Sequence, residues 1–86
     1  MYKIGLVEDE KNLNSLVKNY LEKEGYEVIT FFNGEDVLNY EDLLKVQLWI
    51  LDIMLGDGIN GYDIIKFIRE KNKNVPVIFT SARDQD

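Results

Sequence analysis

Apolar and polar positions fall in blocks along this chain, and the block lengths predict the elements. Tyr2 to Val7 (YKIGLV) is a short, mostly apolar run that stops at Glu8, Asp9 and Glu10. Val46 to Leu51, broken only by Gln47, is a second such run and stops abruptly at Asp52. Short continuous apolar runs fit strands buried on both faces of a parallel sheet. Between them, Leu13, Leu16, Val17, Tyr20 and Leu21 have the spacing of one helical face. Asp9 or Glu10 can accept hydrogen bonds at the start of that helix, and Gly25 is placed to stop it. Tyr26 to Phe31 (YEVITF) is rich in β-branched and aromatic residues and carries a charge, as an edge strand does.

Asn33-Gly34 interrupts the pattern, after which Val37, Leu38, Glu41 and Leu44 allow a weaker helix. Beyond the central strand comes a glycine-containing loop, then a helix from about Tyr62 to Lys71 that buries Ile64, Ile65 and Ile68. Asn72 to Asn74 reads as a turn, and Val75 to Phe79 (VPVIF) as a fourth strand, with Pro76 near its start, where a missing N–H is tolerated. The alternation βαβαβαβ predicts right-handed crossovers and a parallel α/β sheet. SARDQD follows the fourth strand directly and leaves that strand an unprotected edge. The expectation is therefore a piece of a longer domain, the alternative being a complete four-stranded miniature.

Composition narrows the function classes. A net charge of −6 with scattered basic residues argues against direct nucleic-acid contact by this segment. The absence of cysteine removes disulfides and thiolate metal sites, and the absence of histidine removes the commonest general base and zinc ligand. No apolar stretch is long enough for a membrane span, and Met1 leads into a strand-like run without a signal-peptide pattern, so the expected location is cytoplasmic.

The chemistry lies in the carboxylates. Parallel strands bring their carboxyl ends to one rim, where ligands of open α/β sheets bind. Glu8 and Asp9 end the first strand and Asp52 ends the third, so they are expected to be neighbours. Three carboxylates in one pocket repel and need protons or a cation. Hard oxygen ligands on loops suit Mg²⁺ or Mn²⁺. Such an ion would also neutralise an incoming phosphoryl group and align it with a carboxylate nucleophile, which would give an acyl phosphate. Ser81, after the fourth strand, would offer a hydroxyl to a phosphoryl oxygen. Singly, the acidic pair reads more readily as a helix cap and Ser81 as a turn residue, and a lone Asp at a strand end is uninformative. The set, in this order, is far more specific.

VEDE at 7–10, LDIML at 51–55 with Gly61 following, and PVIF-x-SAR at 76–83 resemble the receiver domain of two-component response regulators. The resemblance covers the whole chain. It implies a flavodoxin-like, doubly wound parallel sheet with strand order 2-1-3-4 and three helices, lacking a last strand and two helices. It further implies that Asp52 is the phosphoacceptor for a sensor histidine kinase. Asp9 and Asp52 would be direct Mg²⁺ ligands together with the Met54 backbone carbonyl, and Glu8 would act through water. Ser81 matches the switch hydroxyl, with Thr80 as runner-up. The first-helix face around Asn12, Ser15 and Asn19 matches the kinase-docking surface, and reads equally as a solvated face. The SARDQD ending resembles receivers linked to DNA-binding domains, and hence transcription regulation.

Two departures stand out. Gly56 and Gly61 imply one extra residue in the loop after Asp52, which would shift or loosen the third helix. The lysine that pairs with the phosphoryl group and the switch aromatic have no counterpart in this sequence. Residues 1–86 are thus expected to be an incomplete receiver, switch-deficient, with weak metal binding, reduced phosphotransfer, and self-association through the exposed fourth-strand edge. Rival readings are a receiver-derived interaction module that is never phosphorylated, and a haloacid-dehalogenase-type phosphatase, which would want an acid at Met54. A flavodoxin-like electron carrier would want a hydroxyl-rich phosphate loop where Glu8, Asp9 and Glu10 stand.

Overall fold

The computed structural model describes residues 1–53, 55 and 58–80. The elements run β1 (Lys3–Val7), α1 (Lys11–Lys23), β2 (Glu27–Phe31), α2 (Gly34–Leu38), a 3-10 turn at Leu43–Lys45, β3 (Leu48–Asp52), α3 (Gly61–Lys71) and β4 (Val77–Thr80). All strand pairs are parallel, and the order is β2-β1-β3-β4, as expected. The sheet is doubly wound, and among the described residues β2 and β4 are its outer strands. Ile78 on β4 is 50% exposed.

The main core lies on the face covered by α2 and α3. Val7, Trp49 and Leu51 from the strands meet Val37, Ile64 and Ile68, all essentially inaccessible to water. The Trp49 indole lies across the strand pair so closely that a Cβ on Gly5 would come within 2.6 Å of its ring carbons. Glycine at position 5 is the space for that indole. By strand alternation Ile4, Leu6 and Val28 belong to the opposite face. There α1 packs on β1 and β2, and these three side chains are buried.

Helix ends follow local chemistry. Glu10 caps α1, its side chain accepting the Leu13 N–H. Gly25 closes that helix at φ 98°, with its N–H donated to the Glu22 carbonyl and the Tyr26 N–H to that of Leu21. This is the paired arrangement that positive-φ glycine permits. Asn33 and Asn60 cap α2 and α3, accepting the N–H groups of Asp36 and Asp63 at 2.9 Å each.

Three elements differ from the periodicity. Leu16 and Tyr20, expected on the buried face of α1, are 66% and 64% exposed, whereas Asn14 is 1% exposed. The helix packs chiefly on β1 and β2, and its less exposed line runs through Asn14, Val17 and Leu21. The second helix stops at Leu38, with Asn39 donating both its backbone N–H and its amide to the Glu35 carbonyl. Leu43 is reached by the separate 3-10 turn, and Leu44 stays exposed. Finally, β4 starts at Val77 because Pro76 has no N–H for the ladder, although its carbonyl still accepts from Trp49 at 3.0 Å.

Candidate metal and phosphoryl site

Register decides which strand ends meet. Val7 pairs with Leu51, so Glu8, the next residue, arrives beside Asp52, and Asp52 itself pairs with Thr80. Carboxylate oxygens from Glu8, Asp9 and Asp52 lie within 4.8 Å of one another. Glu8 is 4% exposed and Asp52 is 1% exposed, while Asp9 is half-buried. The expected acidic cluster is therefore formed by two adjacent residues of the β1 end and the last residue of β3.

Such a cluster is electrostatically costly. Burial pushes the Glu8 carboxyl above its ordinary value of 4.5, and the charges of Asp52 and Asp9 and a side-chain hydrogen bond with Asp9 push the same way. The Glu10 N–H, donated to Glu8 Oε2 at 2.9 Å, opposes them. The donor set consists of hard, anionic oxygens on one rim, which fits Mg²⁺ or Mn²⁺ and not a thiolate- or imidazole-seeking metal.

Helix α3 is seated directly on the end of β3. A Cβ on Gly61 would lie 2.8 Å from Ile53 Cα and 2.9 Å from the Asp52 carbonyl oxygen. The Gly61 N–H is donated to the Ile53 carbonyl at 3.4 Å. The α2 start adds a second close approach, where a Cβ on Gly34 would meet Ile59 at 2.8 Å. Glycine at 61 thus admits the close approach of Ile53 and Asp52, and glycine at 34 that of Ile59.

Of the remaining expected site residues, Met54 and Ser81 lie outside the described residues. Thr80 is described, and its hydroxyl donates to the Leu51 carbonyl at 3.3 Å. Asn12, Ser15 and Asn19 are exposed on α1. Periodicity did not single out Asn14, whose amide reaches the β1 rim. The available signal was a polar side chain three residues before Val17 and seven before Leu21, on the line that α1 buries.

A profile described as the response regulator receiver domain matches residues 4–86. The chain belongs to that receiver family. The transcriptional regulatory protein CssR of Bacillus subtilis (strain 168) is 53% identical to this receiver over 85 residues, covering 99% of this chain and 37% of that protein. The receiver thus spans little more than a third of the length of the curated relatives it matches. Among solved structures, the response regulator TrrA from Thermotoga maritima in complex with Mg²⁺–BeF superposes with a TM-score of 0.87 at 38% identity, covering 98% of this chain and 72% of that one. TrrA in complex with the histidine kinase ThkA gives 0.85 at 38% identity, covering 99% and 72%. The chain is a receiver domain of the two-component response regulators, and its acidic cluster is compatible with Mg²⁺ and phosphorylation.

Proposed function

We propose that this receiver takes a phosphoryl group from a sensor histidine kinase onto Asp52, with Mg²⁺ at the acidic cluster. The observation that carries the reading is the convergence of the Glu8, Asp9 and Asp52 carboxylates within 4.8 Å at the carboxyl rim of a receiver sheet. Asp9, Asp52 and the Met54 backbone carbonyl would hold the ion directly, and Glu8 through water. When bound, Mg²⁺ or Mn²⁺ supplies positive charge against the carboxylates and the incoming phosphoryl oxygens. An Asp52 carboxylate oxygen forms the new bond to phosphorus as the P–N bond of the kinase phosphohistidine breaks. The products are an acyl phosphate on Asp52 and a free imidazole on the kinase.

Ser81 is assigned the hydroxyl that meets a phosphoryl oxygen. Support for choosing it over Thr80 is the Thr80 hydroxyl's existing bond to the Leu51 carbonyl. The exposed Asn12, Ser15 and Asn19 on α1 are the proposed kinase-facing surface. Because CssR is a transcriptional regulatory protein, the output of the whole protein is proposed to be phosphorylation-gated transcription. The charge of −6 leaves DNA contact to other parts of that protein.

The test is incubation with acetyl phosphate, with and without Mg²⁺, followed by intact-mass spectrometry and a beryllofluoride titration. The expected result is one Mg²⁺-dependent phosphate adduct that Asp52→Asn abolishes. A folded protein that neither forms the adduct nor binds beryllofluoride would instead be an interaction module. Persistence of the adduct in Asp52→Asn would move the acceptor elsewhere.

A further inference from the structure

Asn14 is 1% exposed, and the phosphoryl chemistry above does not use it. Its side-chain amide donates to the Glu8 carbonyl at 3.0 Å and to the Phe31 carbonyl at 3.3 Å. The Glu8 N–H donates to the same Phe31 carbonyl at 3.0 Å. These hydrogen bonds close a ring in which both backbone polar groups of Glu8 are held. The backbone of Asn14 is tied down as well, its N–H donated to the Glu10 carbonyl at 2.9 Å in the first turn of α1.

The location gives the ring its meaning. Glu8 is the first residue past β1, its N–H making the last bond to β2 at the Phe31 carbonyl, and Asp9 follows it. The peptide between Glu8 and Asp9 carries the carbonyl that Asn14 grips. Any rotation of that peptide would swing the directions in which both carboxylates leave the backbone. A buried amide with two N–H groups is the economical way to satisfy two carbonyls from different strand ends. An apolar residue of similar volume would fill the space and hold neither.

We propose that Asn14 is a positioning residue for the acidic cluster. It fixes the backbone at Glu8 and so sets the aim of the Glu8 and Asp9 carboxylates toward Asp52. The proposal rests on the Mg²⁺ reading above. It goes further by naming the residue that makes the β1 half of the site rigid.

The experiment compares wild type, Asn14→Leu, Asn14→Ser and the core control Ile68→Val, all first stripped of metal. Mg²⁺ affinity is measured by calorimetry, and exchange of the Glu8 amide by hydrogen–deuterium NMR without metal. Residues that orient metal ligands typically change affinity by about 10- to 100-fold, so Asn14→Leu is expected to weaken Mg²⁺ binding about tenfold or more. Asn14→Ser, which keeps one donor, should fall between, and it decides the matter should Asn14→Leu not fold. Ile68→Val lowers stability in a part of the core away from the rim and should leave affinity within about twofold of wild type. Without metal, exchange in the Asn14 variants is expected to accelerate over wild type more at Glu8 than at Gly5. A folded Asn14 variant with wild-type Mg²⁺ affinity overturns the proposal. If wild type itself binds no Mg²⁺, the metal reading fails. The exchange arm then still decides Asn14's role, and an unchanged Glu8 amide refutes it.

Discussion

Replacing Asp52 by asparagine should stabilise the metal-free domain and destroy its response to Mg²⁺. Asparagine keeps the shape of the buried side chain and removes one of three negative charges whose oxygens lie within 4.8 Å of one another. At about 4 Å, two unit charges repel by about 1 kcal/mol in water and about 4 kcal/mol at the effective dielectric of a protein boundary. Two such repulsions end at Asp52, toward Glu8 and toward Asp9. The half-exposed Asp9 is screened by water, and the raised proton affinity of Glu8 already relieves part of the other. A net gain of about 1–3 kcal/mol is therefore expected, below the bare Coulomb figure. For a domain of this size each kcal/mol moves the midpoint by roughly 4–8 °C, so the shift is readable by thermal circular dichroism in EDTA.

Mg²⁺ should then reverse the ranking. An ion bound only to the folded state adds about 2.7 kcal/mol at a hundredfold excess over its dissociation constant. Wild type should gain this and the variant should not. An Asp52→Asn protein that is no more stable than wild type in EDTA would refute the electrostatic reasoning. Equal stabilisation of both proteins by Mg²⁺ would show that the ion does not use Asp52.

Two further outcomes follow from the same geometry. Folding raises the Glu8 carboxyl above 4.5, so between 4.5 and the raised value the folded chain holds more protons than the unfolded one. The stability Glu8 contributes is thus full below that window and lost as pH rises through it. Urea midpoints in EDTA should show this decline, and Glu8→Gln should flatten it; an equal decline in Glu8→Gln would assign it to other groups. Gly61→Ala would press a Cβ against the Ile53 and Asp52 backbone at 2.8 and 2.9 Å, neither of which can swing aside. Overpacking of about 1–3 kcal/mol, less up to about 1 kcal/mol of alanine's helix preference, gives a net loss near 1–2 kcal/mol. Denaturant unfolding at wild-type stability would show that α3 can lift off β3 without penalty.

Much of this protein was legible along the chain because the signals are local. Apolar runs of strand length, the Leu13–Leu21 periodicity, Gly25 and the acids that end the first and third strands depend on nearest neighbours and on the parallel crossover rule. They were enough to predict the alternation of elements and the meeting of Glu8, Asp9 and Asp52 on one rim. Tertiary packing decided the rest. Spacing could not show that α1 packs chiefly on β1 and β2, with Leu16 and Tyr20 in water and Asn14 turned inward. Nor could it show that the Trp49 ring claims the space of a side chain at Gly5, or that Gly61 sits on the Asp52 carbonyl. Each of these depends on the distance between segments far apart in the chain. That distance is set by which surfaces pack together, and a linear pattern does not contain it.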